Sequence, residues 1–324
     1  MPAYPLTELK SGLTIGSFVV LEVYPEGRGG MARVVRAQPK ARQGGGTEMA
    51  LKISRVGPNQ NYFFSALQRE VEILQRLDHA GVVRLAPVSQ GKNPYKERAV
   101  EILGSPWFFG MEILRGGSLE SYIADNGPLL LQEAASICYR VGRALDHVHE
   151  KGFAHNDVKP DNVLFRKPPA AGELFEPVLI DFGVAAKLVI QQLDGSIVYM
   201  APERLQESRE PSAPETVEKT DPTKGDVWSV GILLYRLLVG REPFLGVTDR
   251  SITSAIMRTM PPPMTRQRRD IPKELDDFVI EGCLAKDPRV RVTMRHLNGV
   301  LRRYAGDLRL HRTPKAKRVL PWQR

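Results

Sequence analysis

Between residues 18 and 53 the apolar positions fall in three short runs, SFVVLEVY, RVVRAQ and EMALKIS, separated by a glycine cluster and by the turn QGGGT. Apolar and β-branched runs of this length, bounded by glycine-rich turns, predict strands. Three in succession predict an antiparallel meander. The period then changes. In SALQREVEILQRLDH the residues Leu67, Val71, Leu74 and Leu77 recur at three- and four-residue spacing, which predicts an amphipathic helix. Two more strand-like runs follow, near GVVRLAPV and WFFGMEIL.

After the turn RGGS the pattern is mostly helical. LQEAASICYRVGRALDHVHEKG places Ala134, Ile137, Val141, Leu145 and Val148 on one face and stops at Gly152. Further helices are predicted over 226–239, 272–285 and 293–304. The stretch LQESREPSAPETVEKTDPTK, residues 205–224, is rich in proline, serine and charge and reads as a surface insertion. There is no internal repeat. The pattern therefore predicts an α+β chain with a small antiparallel β lobe carrying one long helix over about 14–113, and a larger, mainly helical lobe over about 114–305. Residues 1–13 read as an N-terminal extension and 306–324 as a basic C-terminal tail.

Composition changes this picture little. The 324 residues, 42% hydrophobic and 26% charged, are ordinary for a globular chain. Cys138 and Cys283 lie far apart in apolar contexts, without disulfide or metal-ligand spacing, and read as core residues of a reducing compartment. No run is long and apolar enough for a transmembrane segment, and the start lacks the order of a signal peptide, so the expected location is cytoplasmic. Charge is uneven: residues 301–324 hold eight Lys or Arg against Asp307 alone, which is +7 of the net +9. Such a tail is the kind of segment that touches nucleic acid or an anionic membrane, but a solvated end is the simpler reading.

The candidate chemistry begins with FAHNDVKPDNVLF, residues 153–165, whose polar density a buried segment would not tolerate unpaired. A second apolar run, VLIDFGVA, ends in Asp181, Phe182 and Gly183. Asn162 and Asp181 thus adjoin two apolar segments, VLF and VLI, suited to lie side by side. A carboxylate and an amide oxygen, completed by phosphate oxygens and water, suit Mg²⁺, with Mn²⁺ as the alternative ion. His155 is better placed to pack and hydrogen-bond than to ligate metal. Upstream, Lys52 stands on an apolar strand where an ammonium needs an anionic partner, and Glu70 on the next helix can supply one. A lysine that snorkels to the surface would fit that strand equally well.

Taken in order, G-x-G-G-M-A-x-V at 27–34, A-L-K at 50–52, Glu70, H-N-D-V-K-P-D-N at 155–162, D-F-G at 181–183, A-P-E at 201–203 and D-V-W-S-V-G at 226–231 resemble the eukaryotic-type protein kinase superfamily, specifically its bacterial serine/threonine branch. The match spans roughly 14–305. The resemblance implies a two-lobed protein kinase fold and an ATP-dependent serine/threonine kinase. The loop carrying Gly27, Gly29 and Gly30 would cover the ATP phosphates, Lys52 would contact the α- and β-phosphates, and Glu70 would orient Lys52. Asp157 would accept the proton of the substrate hydroxyl, Lys159 would steady the γ-phosphate, and Asn162 and Asp181 would hold the metal. Met111 would line the rear of the adenine pocket, backbone groups of Glu112 and Leu114 would bond the adenine edge, and Val34, Ala50 and Leu164 would sandwich the ring. Asp226 would brace the catalytic loop, and Glu203 and Arg291 match a buried ion pair. Implied partners are protein substrates and a regulatory protein; the oligomeric state is not legible.

Three positions depart from the family pattern. Ala32 replaces a third glycine, and Ser118 stands where many kinases place an acid near the ribose. Asn156 replaces the arginine that, in many kinases, meets a phosphate on the activation segment. In the same chain, residues 184–194 contain no Ser, Thr or Tyr. Reader and acceptor are missing together, which predicts an enzyme not switched by phosphorylation there, its loop held instead by packing of Leu188, Val189, Ile190 and Leu193. Ser208, Ser212, Thr216, Thr220 and Thr223 then become the expected autophosphorylation sites. The alternative is a pseudokinase or scaffold module, which fits Asn156 and Ala32 but not the retention of Lys52, Glu70, Asp157, Asn162 and Asp181. A small-molecule kinase would not need the segment GSIVYMAPE.

Overall fold

The computed structural model describes residues 3–25, 32–40, 47–170, 173–183, 196–209 and 220–306. The glycines at 27, 29 and 30, the loop residues 188–190 and 193, Ser212, Thr216 and the basic tail beyond 306 lie outside them. The chain divides into two units: Met1–Asp78, Val83–Ile113 and Phe182–Ala186 form the first, and His79–Val82, Leu114–Asp181 and Lys187–Arg324 the second.

The first unit contains β1 (Thr14–Ile15), β2 (Phe18–Val23), β3 (Ala32–Pro39), β4 (Met49–Ser54), α1 (Gln60–Leu74), β5 (Leu85–Ala86), β6 (Lys96–Arg98) and β7 (Trp107–Met111). Its strands pair antiparallel in the order β1-β2-β3-β4-β7-β5, with β6 also on β7. The meander predicted from the alternation is present, and β4 is followed in space by β7. Ile15, Phe18, Val20, Val35, Leu51, Ile53 and Phe108 form the core beneath the sheet. Gly110 of β7 permits this packing, because a Cβ there would lie 2.6 Å from the Val88 side chain and 2.7 Å from the Ala86 carbonyl oxygen. The N-terminal extension joins the same core: Leu6 and Leu9 are buried in it, and Tyr4 forms a bridge with Ile102. Helix α1 packs on β4 and β7, burying Leu67, Val71 and Leu74; it ends at Leu74, so Leu77 lies beyond its last turn.

The second unit contains α2 (Leu119–Asn126), α3 (Leu131–Glu150), β8 (Val163–Phe165), β9 (Pro177–Leu179), α4 (Pro202–Arg209), α5 (Thr223–Val239), α6 (Asp249–Arg258), α7 (Lys273–Asp277) and α8 (Met294–Tyr304). Helix α3 packs against α5 and α8 through the predicted stripe, and α5 is buried along nearly its whole length. Three readings of the sequence are corrected. The stretch 272–285 is not one helix: α7 passes into a π-helical turn, Phe278–Cys283, where the Leu284 N–H reaches back to the Val279 carbonyl at 2.9 Å and the Gly282 carbonyl instead accepts the Val292 N–H at 3.1 Å. The insertion is shorter than 205–224, because α4 runs to Arg209 from Pro202 at its first turn, where proline suits a helix, and α5 already starts at Thr223. GVVRLAPV supplies only the two strand residues Leu85 and Ala86.

Candidate active site

In the first unit, strand register sets the position of Lys52. It lies on β4, opposite Val34 of β3 and Phe109 of β7, and is itself buried. Its Nζ donates to both carboxylate oxygens of Glu70 on α1, at 2.9 and 2.8 Å. Glu70 sits in the buried stripe of α1 between Leu67 and Val71, where only a paired carboxylate is tolerated. Lys52 therefore does not snorkel to the surface. The backbone N–H of Phe182 also donates to Glu70 Oε1, at 3.2 Å, so one carboxylate holds both the β4 lysine and the D-F-G segment. That second contact was not legible from spacing, since the two residues are 112 positions apart.

Ala50 is buried and faces Met111 across the β4–β7 pair, and Met111 ends β7. Glu112 exchanges two hydrogen bonds with the backbone of Arg84: its N–H donates to the Arg84 carbonyl at 2.9 Å, and its Oε1 accepts the Arg84 N–H at 3.0 Å. Its own N–H is thus committed within the unit.

In the second unit, the β8–β9 hairpin organises the polar loop. Val163 pairs with Leu179, Leu164 with Val178 and Phe165 with Pro177, so VLF and VLI do lie side by side. The residues next to the paired ends meet as well, the Ile180 N–H donating to the Asn162 carbonyl at 3.0 Å. Asn162 and Asp181 are therefore brought to the same end of the hairpin. The Nδ2 group of Asn162 donates to the Asp157 carbonyl at 2.8 Å and to Asp157 Oδ2 at 2.7 Å. An amide facing two acceptors must present nitrogen to them, which leaves Oδ1 as its atom for a cation. Lys159 Nζ clamps the Asp157 carboxylate from another side, at 3.1 and 2.8 Å.

Burial pushes the Asp157 carboxyl above the ordinary carboxylate range, against the pull of the Lys159 ammonium, and the nearby charge of Asp181 raises it further. The Asp181 carboxylate and the Asn162 amide oxygen, at one end of the hairpin, are an all-oxygen donor pair that fits Mg²⁺ or Mn²⁺.

His155 is committed to hydrogen bonds within the second unit. It is fully buried, its Nε2 lies 3.0 Å from the Ile180 carbonyl, and its Nδ1 accepts the Asp157 N–H at 3.3 Å. Both ring nitrogens are thus engaged by backbone groups of the second unit. Beneath the loop, Asp226 of α5 is wholly buried and accepts the backbone N–H of His155 at 2.8 Å and of Asn156 at 2.7 Å. His149 of α3 completes its shell, Nε2 to Oδ2 at 2.8 Å. Burial opposes the charge on Asp226, yet the hydrogen bond and charge of His149 with the backbone donors hold its carboxyl below the ordinary value. No motif singled out His149, and the 77 residues separating it from Asp226 leave no spacing signal.

Asn156 has φ +66°, and Asp181 has φ +65°. Left-handed backbone is tolerated by asparagine and aspartate better than by other side chains with a Cβ. Leu164 is half-buried in β8, and Ser118 is the N-cap of α2, its Oγ accepting the Ser121 N–H at 3.1 Å.

Farther along, Glu203 of α4 and Arg291 form a bidentate pair at 2.6 and 2.9 Å, and Arg291 also donates to the carbonyls of Lys224 and Ala285. Ser229 Oγ donates to the Tyr199 carbonyl at 2.8 Å. The Tyr199 hydroxyl is buried against Arg236, which donates to it at 2.9 Å while pairing with Glu120 at 2.8 and 2.7 Å. No helix among the described residues is long and apolar enough to cross a membrane.

The family model described as Protein kinase domain matches residues 25–300. Serine/threonine-protein kinase PrkC of Bacillus subtilis (strain 168) is 29% identical over 280 residues, covering 84% of this chain and 38% of that protein. Serine/threonine-protein kinase PkaA of Streptomyces coelicolor is 29% identical over 313 residues, covering 92% of this chain and 52% of that protein. The chain thus spans from under two fifths to about half the length of these relatives. Among solved structures, Rad53 1-466 in complex with AMP-PNP shares the fold with a TM-score of 0.65 at 24% identity, over 89% of this chain and 65% of that one.

Proposed function

The chain belongs to the protein kinase family, and from that premise we propose that it transfers the γ-phosphoryl group of ATP to serine or threonine hydroxyls of proteins. The observation that carries this reading is the environment of Asp157, a half-buried carboxylate aligned by the Asn162 amide and the Lys159 ammonium. That is the equipment a base needs when positioning and charge compensation, rather than covalent chemistry, lower the barrier.

In the proposed reaction Lys52, oriented by Glu70, neutralises the α- and β-phosphates. The glycine loop at 27–30 covers the phosphates, and Val34, Ala50 and Leu164 enclose the adenine, with Met111 at the rear of its pocket. Of the backbone groups of Glu112, the carbonyl is the one to meet the adenine edge, because its N–H is held by Arg84; Leu114 supplies the second contact. Asn162 and Asp181 would hold Mg²⁺ or Mn²⁺, which supplies charge neutralisation at the phosphates. The substrate hydroxyl attacks phosphorus in line, its proton passes to Asp157, Lys159 compensates the charge on the transferred group, and ADP leaves.

Control of this site, in the same reading, does not run through phosphate at 184–194. A neutral amide at 156 cannot form the charge-assisted pair that such a phosphate requires. Tyr199 is a poor acceptor because its hydroxyl is buried and bonded to Arg236. The protein is expected to act in the cytoplasm on protein substrates, with regulation coming from a partner protein or from modification at Ser208, Thr220 or the residues between them.

The test is transfer from labelled ATP to a generic protein by the purified chain, with Asp157→Ala and Lys52→Met in parallel and phosphosites mapped afterwards. Transfer that both substitutions abolish is the expected result. Full activity in Asp157→Ala would overturn the reading, and phosphate at Ser196 or Tyr199 required for activity would overturn its regulatory part.

A further inference from the structure

Lys286 lies just beyond the π-helical turn of the second unit and is half-buried. Its Nζ stands 4.0 Å from the ring centre of Phe244 and 4.8 Å from that of Trp228, two buried rings stacked at 5.7 Å with 4° between their planes. The same nitrogen donates to the Ile256 carbonyl of α6 at 2.6 Å, and it has no carboxylate partner among the described residues. The carboxylates that adjoin it in the chain or through Arg291 are taken: Asp287 by Arg289 at 2.7 Å, and Glu203 by Arg291 at 2.6 Å. Arg291 itself is buried over the same indole, 5.2 Å from its centre, and is a like charge.

An ammonium in this setting has lost part of its hydration and faces a second cation, with two ring faces and one carbonyl as its compensation. Burial, with the Arg291 charge, pulls its pKa down to about 8. Lys273 is the opposite case, 80% exposed and paired with Asp277 at 2.6 Å, which raises its pKa above the ordinary value. Near neutral pH Lys286 therefore holds a larger share of free amine, the form with a lone pair to donate.

The surroundings also select the product. A carbamate formed from carbon dioxide would set negative charge against the negative faces of two rings. A neutral amide removes the repulsion from Arg291, keeps one N–H for the Ile256 carbonyl and lays its apolar part on the rings.

We propose that Lys286 is an acylation site, its side-chain amine taking the acyl group of an acyl phosphate or an acyl thioester. The amine lone pair attacks the acyl carbon, the C–O or C–S bond breaks, phosphate or thiolate leaves with the electron pair, and the surplus proton on nitrogen passes to water. This goes beyond the kinase reading and does not depend on it.

The test incubates the full chain with acetyl phosphate in one series and acetyl-coenzyme A in another, and follows the occupancy of each lysine by peptide mass spectrometry. At pH 7 Lys286 should be acetylated about tenfold or more faster than Lys273, despite the greater exposure of Lys273. The series in which this occurs identifies the donor. With rising pH the Lys286 rate should level off above about 8, while the Lys273 rate keeps climbing. Lys286→Arg, which keeps a cation for the rings, should lose the fast site and leave the Lys273 rate unchanged. A Lys286 rate no greater than that of Lys273 in both series overturns the proposal. So does a Lys286 rate that follows pH as the Lys273 rate does, or modification of Lys286 only in chain unfolded by urea.

Discussion

The carboxylate of Asp226 accepts the backbone N–H of Asn156 at 2.7 Å, and Asn156 is the loop residue held at φ +66°. A fully buried charge on α5 thus fixes a peptide whose conformation is costly, immediately before the proposed base. The asparagine that reads in sequence as a missing cation has a second cause in the backbone, since it occupies a left-handed position that few side chains accept.

Asp226→Ala removes the acceptor shared by the N–H groups of His155 and Asn156. Each buried donor left unsatisfied costs about 1–3 kcal/mol, so chemical denaturation should show a loss of several kcal/mol and a lower midpoint. In the wild type the Asp226 carboxyl is held below its ordinary value. Its contribution is therefore fully present above the ordinary carboxylate range and is lost as pH falls through its lowered folded value. A stability profile in acid that Asp226→Ala leaves unchanged would count against this role.

Asn156→Gly should leave stability within about 1 kcal/mol of wild type, because glycine adopts positive φ without strain. Asn156→Val should cost about 1–2 kcal/mol or more, since a β-branched side chain is disfavoured in left-handed backbone. Equal stabilities for the two variants would show that the conformation at 156 is not under constraint.

The raised carboxyl of Asp157 places the acidic limb of the rate profile above the ordinary carboxylate range, because the base works only when deprotonated. Lys159 is the cation that opposes this rise. Lys159→Met should therefore move the limb to higher pH in addition to lowering the rate. A lowered rate with an unshifted limb would assign Lys159 to the phosphate alone.

Arg291→Met should destabilise the chain by about 3–5 kcal/mol, the usual cost of leaving one buried partner of an ion pair uncompensated. Glu203, its partner, keeps only 11% side-chain exposure, and the carbonyls of Lys224 and Ala285 lose their donor as well. Denaturant titration reads this directly, and a change under about 1 kcal/mol would mean that the pair is dispensable.

Sustained apolar patterning made α1, α3, α5 and α8 legible, because each buries a long set of apolar residues. Helices α2 and α6 were not, being eight and ten residues long with no sustained stripe. Their serine and threonine caps, Ser118 and Thr248, were the signals available. In the site, charge on apolar strands pointed to Lys52, and polar density pointed to Asp157 and Asn162. The bonds made by Phe182, Ile180 and His149 were hidden because they join backbone groups or distant positions that no spacing relates. The conformation of Asn156 was hidden for another reason, in that the same residue already had an explanation in its missing charge.

His155 spans the gap between the loop that carries Asp157 and the strand that leads to Asp181, with one ring nitrogen committed on each side. The imidazole is rigid and both its nitrogens are engaged, so it works as a gauge block: the width of one ring sets the separation between the loop of Asp157 and the strand that leads to Asp181. A substitution there would alter a length rather than a charge, and both halves of the chemistry would lose their calibration together.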